Sequence, residues 1–172
     1  METPTQPLRE EHRELLPRIQ QLRVAADRVG EAPIEETQRA IDEAYGFLVS
    51  HLIPHAQAED SVLYPMVEQV MQAPGATATM RRDHDEVIEL TRQLQLLRDD
   101  LDGPPTSEQR RSVQRVLYGL YAVIRLHFAK EEELYLPLLD AGLRSAEATE
   151  MFRAMHESAH PSGSADHEPT HH

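Results

Sequence analysis

From Leu8 onward the apolar residues return every three or four positions, at Leu8, Leu15, Leu16, Ile19, Leu22, Ala26 and Val29, with His12 on the same stripe. That period predicts an amphipathic helix over about residues 7–29, stopped at Gly30 and kinked at Pro17, whose ring removes a hydrogen bond to Arg13. A second helix starts near Pro33 and carries Ala44, Leu48, His51, Leu52, His55, Glu59 and Val62 along its inward face down to Pro65, with a bend expected at Pro54. After Gly75, the positions Met80, His84, Val87, Ile88, Leu94, Leu97 and Leu101 predict a third helix, ended by Asp102, Gly103, Pro104 and Pro105. A fourth spans about 106–136, with Val113, Val116, Leu120, Ile124, His127, Glu131 and Leu134 inward. A short fifth, about 146–158, has Ser145 as its N-cap and Met151, Phe152 and Met155 as its apolar side. Beyond Pro161 the chain has too little apolar content to pack, and a disordered His-rich tail is expected. No stretch alternates as a strand would. The expected architecture is all-α: an up-down-up-down four-helix bundle over 1–140, a short C-terminal helix within 141–160 and a tail over 161–172.

The polar residues on these apolar stripes change the picture. His55-x-x-x-Glu59 reappears as His127-x-x-x-Glu131, displaced by 72 residues for both residue types. The same displacement carries His12 onto His84, Pro65 onto Pro137, and the apolar positions Leu8, Leu15, Leu16 and Leu22 onto Met80, Val87, Ile88 and Leu94. Residues four apart share one helix face, so each His and Glu can point at a common centre. The pattern reads as half a metal site, written twice. A lone His on an apolar stripe is ordinarily a hydrogen-bonded core residue, but four His and two Glu facing one core are not so explained. Carboxylates at Glu59 and Glu131 would each cost several kcal/mol to bury as ions unless neutralised. No Arg or Lys stands on those stripes, whereas a metal would neutralise both, and imidazole with carboxylate suits first-row transition metals, iron among them. His51, one turn before His55, is a candidate seventh ligand, a hydrogen-bond partner of one, or a buried His bonded to backbone, the second being favoured. Asp60, Glu132, Glu14 and Glu86 point off the stripes and are expected in solvent, and the five tyrosines are expected to pack in the core and at its rim.

Composition narrows the function classes. The formal net charge is −13 over 172 residues, which argues against nucleic acid or an anionic membrane as partner. Without any cysteine there are no disulfides, thiolate zinc sites, iron–sulfur clusters or thiol catalysis. The start, Met1 to Pro7, lacks the basic and apolar regions of a signal peptide, and no apolar run reaches a membrane span, so a soluble cytoplasmic protein is expected. The terminal histidines, His156, His160, His167, His171 and His172, have no fixed spacing on a rigid element and read as an unstructured tail.

His12, His55-x-x-x-Glu59, His84 and His127-x-x-x-Glu131, with Leu63-Tyr64-Pro65 and Leu134-Tyr135-Leu136-Pro137 after the two motifs, resemble the hemerythrin-like (HHE cation-binding) family over about residues 8–140. The resemblance implies a non-haem di-iron centre with an oxo or hydroxo bridge: His12 and His55 on one iron, His84 and His127 on the other, Glu59 and Glu131 bridging. It implies as partners dioxygen, peroxide or nitric oxide, with either turnover of these oxidants, as in a di-iron peroxidase, a catalase-like enzyme or a nitric oxide-handling enzyme, or reversible oxygen or iron binding or sensing. Two positions depart from the oxygen carriers of the family. Ile88 stands where carriers have a further His one turn after the His of the third helix, and Glu131 stands four residues after His127 where carriers have an Asp five residues after. These departures favour reaction with oxidants over durable oxygen carriage, with an apolar approach past Leu48, Leu52, Leu120 and Ile124 and either the bridge or a Tyr such as Tyr45 as proton donor.

Overall fold

A computed structural model describes residues 3–159, and among these the chain is helical and without strands. Five helices result. Helix α1 is Gln6–Arg28, running unbroken through Pro17. Helix α2 covers 34–71 and α4 covers 107–142, while α3 is Ala78–Asp99 and α5 is Ser145–Ala159. The tail expected over 161–172 lies outside the described residues.

The breaks between helices follow from local chemistry. Gly30, at φ +82°, takes the left-handed conformation that ends α1, and a Cβ there would meet the Arg110 side chain at 2.5 Å. Thr106 caps α4: its hydroxyl accepts from the Gln109 N–H while the Gln109 side chain accepts from the Thr106 N–H, a capping box. At α5 the helix begins at Ser145 itself rather than after it, and Glu147 reaches back to the Arg144 N–H at 2.9 Å.

Proline shapes the two long helices differently from expectation. Neither Pro65 nor Pro137 ends its helix. Instead each follows a single π-turn, Glu59–Leu63 in α2 and Glu131–Tyr135 in α4, and a third π-turn, Leu48–Leu52, precedes Pro54. The wider turn accommodates a ring that cannot donate a hydrogen bond to the preceding turn. It also inserts one residue into the winding, which rotates everything beyond it by about 100°. Leu134, expected inward, is therefore 62% exposed and Val62 only half-buried, while Leu63, Tyr64, Leu136 and Leu139 take the core.

Two apolar clusters form. One contains Leu15, Ile19, Leu22, Leu52, Val87, Leu120 and Ile124 with their neighbours, the other Leu8, Leu63, Tyr64, Val67, Met80 and Leu136 together with Met151 and Met155 of α5. Between them in sequence on all four long helices lie the buried polar residues His12, His55, Glu59, His84, His127 and Glu131. Helix α5 thus completes the second cluster and packs on the part of α2 that bears the His-x-x-x-Glu motif. Among the described residues no helix is long and apolar enough to cross a membrane.

Candidate metal centre

The six residues predicted from the repeat meet in this buried layer. Glu59 Oε1 lies 2.8 Å from His55 Nε2 and 3.7 Å from His12 Nε2, whereas its Oε2 lies 3.2 Å from His84 Nε2 and 3.8 Å from His127 Nε2. Glu131 does the same from the other side, with Oε2 at 3.4 Å from His12 Nε2 and Oε1 at 3.4 Å from His127 Nε2. Both carboxylates are fully buried, and each spans the two histidine pairs with one oxygen apiece. Two overlapping groups have the spacing to hold a metal ion, His12 with His55 and Glu59, and Glu59 with His84 and His127.

The atoms facing the centre are short of partners. Among the described residues, six buried side-chain polar atoms make no hydrogen bond, and five of them are here: His12 Nε2, His55 Nε2, both oxygens of Glu59, and Glu131 Oε2. His55 Nε2 and Glu59 approach closely without hydrogen-bond geometry, as atoms do that are aimed at a shared third point. Leaving such groups unsatisfied costs about 1–3 kcal/mol each, more for charged ones. A cation at the centre would satisfy all of them at once, so the donor set fits a metal.

On the outer side, each imidazole Nδ1 meets a carboxylate: His12 meets Glu132 at 2.9 Å, and His55 meets Glu11, His84 meets Asp60 and His127 meets Asp83, each at 3.0 Å. A carboxylate only accepts, so Nδ1 carries the proton in every case and Nε2 is directed inward, the orientation that metal-binding imidazoles require. Asp60 and Glu132, expected to be free in solvent, are thus structural partners of the centre. The repeat carries the signal that finds these carboxylates. Glu11 and Asp83 are equivalent, both preceding the first His, and Asp60 and Glu132 are equivalent, both following the Glu. Thr5 with Asp140 and Thr77 with Glu68 repeat in the same way at the starts of α1 and α3.

Charge shifts the titration of the buried groups. Burial pushes His55 down, but Glu59 and Glu11 more than reverse this and raise it to about 10. For His127 burial is likewise outweighed, by Asp83, Glu131 and Glu59, which raise it to about 11. Burial pushes Glu59 up, and the neighbouring histidines, His55 foremost, nevertheless hold it well below the usual carboxylate range.

Three expectations are corrected by the side-chain positions. His51 is exposed, its ring against Phe47, because it lies within the π-turn Leu48–Leu52, which takes it off the face that carries His55; it is not among the residues that meet at the centre. Ile88 is 44% exposed, and the residue of that turn that borders the centre is Val87. Tyr45 packs beside the apolar core beneath Arg98, while Tyr64, expected only to pack, donates from its hydroxyl to Glu131 Oε1 at 2.8 Å and lies 3.1 Å from His127 Nε2 and 3.3 Å from His84 Nε2. Tyr64 reaches the centre because the π-turn after Glu59 swings it inward. Its repeat equivalent is Leu136, so the hydroxyl serves only one histidine pair, and on the other side Phe128 stacks on His12 with centroids 4.1 Å apart.

The family model of the hemerythrin HHE cation binding domain matches residues 3–139, and a second match covers 88–162. The chain belongs to the hemerythrin HHE family. No curated protein and no solved structure gives a match. Membership implies cation binding, and the His and Glu groups of this hemerythrin-like bundle fit that chemistry.

Proposed function

We propose that His12, His55, Glu59, His84, His127 and Glu131 hold two iron ions, and that the centre reacts with small oxidants: peroxide, nitric oxide or dioxygen. One observation carries this reading: each of two fully buried carboxylates offers one oxygen to either histidine pair. Two ions held by these residues would supply Lewis acidity and electrons for reaction with a small oxidant.

The chain's own residues set the terms of that chemistry. The Tyr64 hydroxyl holds its proton at Glu131 on the His84–His127 side as a hydrogen-bond donor, and burial with the two glutamates keeps it protonated far above its ordinary value. A void of about 10 Å³ adjoins the centre, bounded by Leu52, Ala56, Val87, Ile124 and Phe128, all buried. Leu48 and Leu120, expected along this approach, do not border the void. Its exposed lining is wholly apolar, which favours small neutral oxidants over large charged substrates. A net charge of −13 makes nucleic acid and anionic membranes poor partners.

The test is metal analysis and an absorption spectrum of protein made in iron-replete cells, followed by stopped-flow mixing with peroxide or nitric oxide. Two irons per chain and catalytic loss of the oxidant are expected. One ion per chain, unaffected by Glu131→Ala, refutes the bridged pair. Two irons that take up dioxygen and release it intact under vacuum, with no oxidant consumed, assign the centre to reversible binding instead.

A further inference from the structure

Three of the four carboxylates behind the histidines are themselves held by a cation. Arg9 pairs with Glu132 at 2.6 Å, Arg81 reaches Asp60 through its backbone carbonyl at 2.7 Å and its carboxylate at 3.5 Å, and Lys130 pairs with Asp83. Arg9 and Arg81 are repeat equivalents. Lys130, the single lysine of the chain, has Ala58 as its equivalent, and so Glu11 has no counterpart clamp; among the described residues it forms an ion pair with His55 alone. The reason for the small residue is visible. Ala58 is buried in the cluster that also contains Met151 and Met155 of α5.

Two clefts flank the unclamped corner. A cleft of about 340 Å³, lined by Glu11, Glu14, Ser50, His51 and His55 among others, and one of about 210 Å³ between α1, α2 and the last turn of α5 both reach Glu11 and His55. His12, His84 and His127 line neither. His55 alone borders both these clefts and the void beside the centre, so its ring stands between the clefts and the other inward residues. Glu11, which holds that ring, is 51% exposed on its side chain.

We propose that divalent cations reach and leave the centre at this corner, passed inward from the carboxylates and imidazole of the larger cleft as Glu11 releases His55 and the ring swings aside. This rests on the metal-centre reading of the six inward residues. Carboxylate oxygens and imidazole nitrogens offer a divalent ion successive partners along the way, so that it need not shed its water in one step.

A route changes rates and leaves equilibrium affinity alone, which separates it from a structural role. The probe is Co²⁺, whose uptake by the metal-free full chain is followed by visible absorption and whose release is followed by transfer to EDTA. Ser50→Trp and Ala159→Trp narrow the cleft from its outer wall and leave all six inward residues in place. Each is expected to slow uptake and release together by roughly tenfold, about 1.4 kcal/mol on the barrier, with the dissociation constant unchanged. Ala40→Trp, in the separate cleft beside Arg18 and Phe47, is the control and leaves both rates as they are. Glu11→Gln, which loosens the ring, is expected to speed release roughly tenfold. Wild-type rates in both plugged variants, with folding verified by circular dichroism, overturn the route, as does equal slowing in the control. A wild-type chain that takes up no Co²⁺ or other divalent ion overturns the metal centre itself, a distinct result.

Discussion

Replacing Glu59 by Gln tests the bridging geometry most directly. The side chain keeps its volume in a fully buried position, so packing is preserved and only the charge and one acceptor are lost. In the native centre Oε1 faces His55 and His12 while Oε2 faces His84 and His127. An amide must turn its NH₂ toward one pair, which loses its oxygen outright, and offers the other pair only a neutral carbonyl. Both sites are therefore weakened by one substitution. With free metal at 100 times the dissociation constant, each site stabilises the folded chain by about 2.7 kcal/mol, so two contribute about 5 kcal/mol. For a chain of this size, at about 2–4 °C per kcal/mol, the loaded protein should melt roughly 10–20 °C above the metal-free one. In Glu59→Gln that increment should fall below half, while the metal-free melting point moves by only a few degrees, because the lost charge pairing with His55 and His127 is offset by the removed cost of burying the carboxylate. Differential scanning calorimetry with and without metal, alongside metal analysis, reads both. A variant that keeps the full increment, or keeps one ion at undiminished affinity, refutes the bridge.

The pH response should have opposite signs in the two forms. His55 and His127 are raised to about 10 and 11 in the metal-free fold, so their stabilisation is fully present below the unfolded value near 6.5 and is lost as pH rises through 10 and 11; the metal-free melting point should fall over that window. Metal must displace a proton from each of these rings, so uptake at pH 7 should release protons and affinity should rise with pH, which a pH-stat titration measures. Tyr64→Phe removes the bond to Glu131 but leaves the ring packed, and the metal-free chain should lose about 1.5–3 kcal/mol, or roughly 3–12 °C, by calorimetry; an unchanged melting point refutes the bond. His51→Ala should keep both ions and an unchanged ligand-field spectrum, since His51 lies outside the centre; loss of one ion in metal analysis shows otherwise.

Much of this centre is written locally. Helical periodicity places His12, His55, Glu59, His84, His127 and Glu131 on inward faces, and the displacement by 72 residues pairs them, because a face of an α-helix depends only on spacing along one chain segment. The acidic residues beside them also recur in both halves, yet repetition alone does not say whether Asp60 faces water or His84. That depends on α3 lying against α2, a contact between segments 24 residues apart in sequence.

Beyond the two glutamates, only the tertiary structure decided which side chains turn inward. A wheel of 3.6 residues per turn places Val62 and Leu134 in the core, but the π-turns before Pro65 and Pro137 add a residue, turn those side chains outward and bring Tyr64 and Leu136 in. The substitution of Ala58 for a lysine likewise has no meaning until α5 is seen packed on it, leaving Glu11 without its clamp. Residue spacing determines a face as long as the helix keeps its pitch. Where proline and packing change the pitch, or where a distant helix claims the surface, the energy that selects the arrangement comes from contacts the linear chain does not contain.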